Sequence, residues 1–348
     1  MAKLSAHAHR KDEHVFLAEK FYTPTITNDF DQVRLLHQSL PEIALSEIDL
    51  TTTLAGQPVA VPFYINAMTG GSPCTQQLNQ QLATIAANLA IPMATGSQSV
   101  ALKEPELAAS FKIVRDVNPK GVILANLGAD ATLAQAEQAV AMLHANALQV
   151  HLNTPQEVVM PEGEQRFYWL ANLSQLVTKL SVPVIVKEVG FGMSQTTLAQ
   201  LSQAGSQYVD LGGRGGTNFV QIENARRPQR DLAYLAGWGQ STVESLLESR
   251  AYQQQLTIYA SGGVRQPLDI VKALALGAKS VGVAGTILHH LQKNGLDATQ
   301  AWLAEWLTQL KLIFALLGCR NVSELPQKAQ LIFSPELVNY AAQRQIKL

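Results

Sequence analysis

Two short segments in the last third of the chain carry the most specific chemistry. Ser261-Gly-Gly-Val-Arg265 is followed, about 20 residues on, by Val283-Ala-Gly-Thr286. Glycines let backbone N–H groups approach an anion closely, and a helix opening near Gly285 would aim its positive end at the same point. Gly262, Gly263, Val264, Arg265, Ala284 and Gly285 therefore read as a phosphate cradle. The plainer alternative is a pair of tight turns whose glycines serve only packing. Lys187 closes the apolar run Val182-Pro-Val-Ile-Val-Lys187. A lysine there is uncommon unless it meets an anion or has a lowered pKa. It suits the pyrimidine edge of a flavin or a Schiff base. Pairing with Glu188 is geometrically poor, because adjacent strand residues point to opposite sides.

Other polar groups end other apolar runs. Ala67-Met68-Thr69-Gly-Gly71 offers backbone donors with little bulk, suited to a flat ring, and Ser97 and Asn126 add neutral hydrogen-bonding groups. A phosphate cradle with neutral donors around it describes FMN better than a small sugar phosphate. No Gly-x-Gly-x-x-Gly dinucleotide turn opens a strand–helix unit. The glycines of Asp210-Leu-Gly-Gly-Arg-Gly-Gly-Thr217 are spaced differently and suggest a mobile flap over the site. His151-Leu-Asn153-Thr-Pro-Gln156-Glu157 could turn four polar groups toward one ligand. His151 and Asn153 suit an anionic oxygen, Gln156 positioning, and Glu157 a hard cation such as Mg²⁺ held with ligand phosphates and water. Arg10-Lys11-Asp-Glu-His14 reads either as a frayed charged terminus or as a flexible basic arm closing on a diphosphate.

These groups need a frame that gathers strand ends. Eight short apolar runs recur, at 62–66, 90–95, 121–126, 147–151, 182–187, 207–211, 257–261 and 280–284. Each has the length of a strand buried on both faces. Helical patterns fill the gaps, at 76–88, 105–117, 133–145, 167–180, 195–204, 241–252 and 267–276. Eight such units predict a TIM (β/α)8 barrel, which collects its functional groups at the C-terminal ends of the strands. An open doubly wound sheet is the runner-up, disfavoured by the count and by the polar strand ends. The expectation is a single domain over 1–348. Residues 1–60 form an N-terminal extension that holds an extended segment, with a turn at 54–58. Residues 62–297 form the barrel, and 298–348 a C-terminal helical tail with an amphipathic helix at 302–317.

Lys plus Arg total 26 against 27 Asp plus Glu, so no global charge calls for nucleic acid or an anionic membrane as partner. Cys74 and Cys319 are too few for a disulfide framework and fit a reducing compartment. The first ten residues lack an apolar signal core, and no run of about 18 apolar residues follows. A soluble, cytoplasmic protein is expected.

Taken in order, Arg10-Lys11-x-x-His14, Met68-Thr-Gly-Gly71, Gly96-Ser-Gln98, Ala125-Asn-Leu-Gly128, His151-x-Asn153-x-x-Gln156-Glu157, Val186-Lys-Glu-Val-Gly190, Gly215-Gly-Thr217 and Ser261-Gly-Gly-Val-Arg265 form a highly specific set. Over essentially its whole length the chain resembles the type 2 isopentenyl-diphosphate isomerases, FMN-dependent barrels. The resemblance implies interconversion of isopentenyl and dimethylallyl diphosphate in isoprenoid biosynthesis, with Mg²⁺, and with NADPH needed only to reduce the flavin. It implies FMN contacts from Ala67, Met68, Thr69, Ser97, Asn126, Lys187, Thr217, Gly262, Gly263, Val264, Arg265, Ala284 and Gly285. Arg10, Lys11, Ser97, His151, Asn153 and Gln156 would face the prenyl diphosphate, Gln156 and Lys187 would serve catalysis, and Glu157 the metal. It also implies a homo-oligomer, tetrameric or larger. Some members follow Gly-Ser-Gln with Arg where Ser99 stands here, and Lys103 is the candidate substitute. An FMN-dependent 2-hydroxy-acid oxidase would want a histidine after the sixth strand, where the chain has Leu211 and no histidine. An inosine-monophosphate-type dehydrogenase would want a cysteine in the same loop, and neither cysteine lies there. A non-catalytic phospholigand-binding barrel is the remaining rival.

Overall fold

Eight parallel strands close on themselves. In this computed structural model, which describes residues 5–23 and 27–348, they are β1 (Phe63–Ile65), β2 (Met93–Ala94), β3 (Ile123–Gly128), β4 (Ala147–Leu152), β5 (Val184–Glu188), β6 (Tyr208–Asp210), β7 (Thr257–Ser261) and β8 (Ser280–Val283). Each neighbours the next, and β8 returns to β1 with Val281 opposite Phe63, so the TIM barrel stands. Local chemistry starts the intervening helices. Ser72, Thr132 and Ser241 each cap a helix with their side-chain oxygen, and proline opens those at Pro73 and Pro267.

Strand alternation builds the interior in two layers. Tyr64, Ala94, Leu124, Ala147, Ile185 and Tyr259 are buried together as an apolar floor, with Tyr208 packed against it. Two residues further along each strand, the same inward parity brings up Asn66, Asn126, Gln149, Lys187, Asp210 and Ser261, all buried. The floor is closed from below by a hairpin, Thr52–Leu54 against Gln57–Val59. Its turn at Ala55-Gly56 has φ of +49° and +77°, and Ala55 N–H donates to Tyr259 Oη at 2.7 Å.

Both termini differ from expectation. Residues 1–4 and 24–26 of the expected N-terminal extension lie outside the described residues. The rest holds a helix, Ala6–Lys20, capped by Ser5, where the sequence suggests a frayed end or a flexible arm. It is ordered by tertiary contacts: Glu13 Oε2 with Arg226 Nε at 2.9 Å, His7 with Glu104 at 2.7 Å, and Glu19 with His289. The tail helix begins earlier than expected and spans Leu296–Leu316. The tail also contributes a strand, Leu331–Phe333, antiparallel to Val33–Leu35, and a last helix, Pro335–Gln343. Among the described residues no helix is long and apolar enough to cross a membrane.

Candidate functional site

A cavity of about 320 Å³ opens at the C-terminal ends of the strands, within the range of small-ligand sites. It is lined by Ala67, Met68, Thr69, Ser97, Asn126, Lys187, Thr217, Gly262, Gly263, Val264, Arg265, Ala284 and Gly285, and also by Arg10, Lys11, His151, Asn153 and Gln156. Residues scattered over 275 positions of sequence thus meet in one space. Glu157 is not among the lining residues. Its carboxylate accepts from Asn153 Nδ2 at 2.7 Å and from Glu164 N–H at 2.8 Å. Lys103 is exposed and away from the cavity, so it does not replace a missing arginine, while Ser99 lines the wall beside Ser97.

The β7–β8 side is built from backbone. Gly262 and Gly263 have φ of +97° and +72°, and a Cβ on Gly262 would lie 1.9 Å from the Gly213 carbonyl oxygen. Gly285 opens the helix Gly285–Asn294 at the same rim. Thr69 Oγ1 is buried here without a protein partner, which leaves it available to a ligand. Arg265 has other work. Its guanidinium binds Asp31 at 2.6 and 2.8 Å and Asp269 at 3.0 and 3.1 Å, stapling the N-terminal segment to the helix Pro267–Ala275. The loop after β6 is closely packed where it starts. Asp210 is fully buried, and a Cβ on Gly212 would strike the Glu188 carbonyl at 1.9 Å.

Across the barrel, ionisable groups crowd together. Lys187 Nζ donates to the Glu188 carbonyl at 2.9 Å, not to its carboxylate. Burial lowers the Lys187 pKa, opposed by Asp210 and Glu188. Burial lifts the Glu188 carboxyl to about 8, against backbone donors from its own loop. Burial, then the nearby charges of Lys187 and Lys11, push His151 down to about 3, so its ring is neutral. Lys11 falls to about 8 through burial and Arg10, with Glu223 opposing.

Glu223 is a candidate group that the sequence reading does not single out. It sits on the helix Phe219–Arg226, with nothing in its local pattern to mark it. Burial would raise its pKa, but donors from His14, Gln156 and Arg226 win and hold it at about 2. Gln156 Nε2 donates to Glu223 Oε1 at 2.9 Å, His14 Nε2 lies 2.9 Å from the same oxygen, and Arg226 reaches Oε2 at 2.6 Å. Gln156 and His14 line the cavity, with Glu223 behind both.

Residues 102–331 match the FMN-dependent dehydrogenase family. The chain is 56% identical over 346 residues to the isopentenyl-diphosphate delta-isomerase of Latilactobacillus sakei subsp. sakei strain 23K, covering 99% of both chains. It belongs to the type 2 isopentenyl-diphosphate delta-isomerase family. The protein of that name from Staphylococcus aureus strain JH9 is 47% identical over 97% of each chain. Among solved structures, the flavin-binding domain of baker's yeast flavocytochrome b2 superposes with a TM-score of 0.66 at 17% identity, covering 95% of this chain and 81% of that one. A mandelate oxidase variant carrying a monooxide FMN adduct gives 0.60 at 15%, with 92% of each chain covered. At such identities these two speak for the barrel alone. The chain is an isomerase and a flavoprotein. The glycine cradle, the unpartnered Thr69 hydroxyl and the buried Lys187 fit FMN.

Proposed function

We propose that this isomerase interconverts isopentenyl and dimethylallyl diphosphate on reduced FMN, with Mg²⁺ as metal and NADPH acting only as reductant. The observation that carries the reading is the two-sided cavity. Its glycine cradle at β7 and β8 lies across the barrel from the polar cluster at β4, joined by one continuous lining. Moving a double bond by one carbon needs a proton added at one end of an allyl unit and another removed. An alkene is a very weak base, and among the described residues no close pair of carboxylic acids of the two-carboxylate kind lines the cavity. Bound and reduced, the flavin would supply the proton and an electron-rich face beside developing positive charge.

The protein's own part is binding and orientation. Gly262, Gly263, Val264, Ala284 and Gly285 would hold the FMN phosphate, with Ala67, Met68, Thr69, Ser97, Asn126, Thr217 and Lys187 around the remainder. Arg265 would act there by bracing the cradle loop through Asp31 and Asp269. Arg10 and Lys11, brought over the mouth by the N-terminal helix, would meet the diphosphate with Ser97, Asn153 and Gln156, and His151 would face the substrate beside them. Gln156 would orient the prenyl carbons or relay a proton, since an amide is too weak an acid to be the primary donor. Glu223, behind Gln156, fixes which way that amide turns. Among the described residues no group of three or more metal-ligating side chains forms. A cation at Glu157 would therefore be completed by substrate phosphates and water.

A 2-hydroxy-acid oxidase finds less support, because the loop after β6 opens with the buried Leu211 and carries no histidine. The test is direct. Purified protein should be yellow. After dithionite reduction it should incorporate deuterium from D₂O into isopentenyl diphosphate, lose that activity with EDTA, and work equally whether NADPH or dithionite reduces it. A colourless protein, or a flavoprotein that leaves the prenyl chain undeuterated, overturns the reading.

A further inference from the structure

We infer that Gln149, with Asn66 and Asn126, forms a positioning chain that fixes the tautomer of His151 and presents its Nε2 to the cavity as a hydrogen-bond acceptor. The chain is anchored where the protein leaves no choice. The backbone N–H of Ala67 donates to Asn66 Oδ1 at 2.8 Å, so Asn66 must turn its Nδ2 to Asp210 Oδ2, 3.0 Å away. Asp210 confirms that polarity, accepting also from Tyr64 Oη at 2.9 Å, Ser261 Oγ at 2.7 Å and Gly212 N–H at 3.2 Å.

From that anchor each amide has one way round. Asn66 Oδ1 accepts from Gln149 Nε2 at 3.0 Å, which leaves Gln149 Oε1 to accept from Asn126 Nδ2 at 3.1 Å. Asn126 Oδ1 then faces His151 Nδ1 at 2.9 Å and can only accept. The proton of a neutral imidazole must sit on Nδ1, and Nε2 is bare. Asn66, Asn126, Gln149 and Asp210 are 3, 2, 0 and 0% exposed, so water cannot substitute for a broken link. The ring is held neutral by burial and by Lys187 and Lys11.

A bare Nε2 cannot donate to an anionic phosphate oxygen. It can accept from an ammonium or from a protonated phosphate oxygen, so the protein's own positive charge for a diphosphate must come from Arg10 and Lys11, beside that of Mg²⁺. That consequence rests on the prenyl diphosphate reading, whereas the tautomer does not. The test uses FMN-loaded protein with ¹⁵N-labelled histidine, His151 being assigned by the signals lost in His151→Gln. Long-range ¹H–¹⁵N spectra at neutral pH should show the proton on Nδ1 alone. Gln149→Met cuts the chain and lets Asn126 turn over, so both tautomers should appear, and KM for isopentenyl diphosphate should rise several-fold with flavin occupancy retained. A wild-type ring protonated on Nε2 overturns the proposal whether or not the variant folds. So does a folded Gln149→Met with an unshifted tautomer. A shifted tautomer with unchanged KM refutes the substrate consequence. An Nδ1-protonated ring in a protein that does not isomerise isopentenyl diphosphate supports the chain and fails the functional reading instead.

Discussion

The two sides of the barrel mouth solve the problem of holding charge in opposite ways. At β7 and β8 the groups proposed to meet a ligand are backbone N–H donors in conformations glycine adopts freely, and Arg265, the cation there, is matched by Asp31 and Asp269. At β4 and β5, with the N-terminal helix above, the groups are side chains whose ionisation the fold has moved: Lys11 to about 8, His151 to about 3, Glu188 to about 8 and Glu223 to about 2. Backbone donors carry no proton to lose and are set when the loop closes. The titrating side depends on segments far apart in sequence, as Glu13 and Arg226 are. A fixed anchor on one side and an adjustable electrostatic site on the other is what a bound cofactor facing a turning-over substrate requires.

The largest effect should come from striking the backbone side. Gly262→Ala forces a left-handed φ on a residue with a Cβ and drives it into a carbonyl oxygen. Strain of about 1–3 kcal/mol before any clash should lower the melting temperature by several degrees and strip flavin during gel filtration. An alanine variant that stays yellow and melts normally would erase the contrast. Next, Glu223→Gln should cut turnover by roughly 100-fold, a typical loss for a disturbed proton-handling group, with flavin absorbance per chain unchanged. Parallel loss of flavin would place Glu223 on the anchoring side instead.

The smallest effect is on stability. The folded pKa of His151 lies below its unfolded value, so between about pH 6.5 and 3 the unfolded chain binds a proton that the folded one refuses. Stability should fall as pH drops from 6.5 to 5, before most carboxylates titrate, by at most about 1.4 kcal/mol per unit. His151→Gln should remove that component in denaturant titrations at stepped pH. Superimposable pH curves would show that the imidazole is not held neutral.

The barrel was readable because each strand and helix announces itself locally. The inward polar layer is half-legible: Lys187 and Asn126 stand out by residue type at strand ends, while Asn66, Gln149 and Asp210 share their parity without a local mark of their role. Other misreadings have one cause. The three-residue strand Leu331–Phe333 exists through its partner Val33–Leu35, the helix Ala6–Lys20 is held by ion pairs to distant segments, and the first glycines after β6 pack on neighbouring segments, Gly212 on Glu188 and Gly213 on Thr242. Glu157 reads from the sequence as the metal-facing carboxylate, and only the packing shows that it stands outside the cavity wall.

Sequence alone determined the eight-fold alternation and the glycine cradle, since strand period and permitted φ are properties of a residue and its immediate neighbours. Tertiary structure alone decided which side chains ionise, which way each buried amide turns, and that Glu223 stands behind Gln156. Desolvation and hydrogen-bond direction are set by atoms that only folding brings within reach.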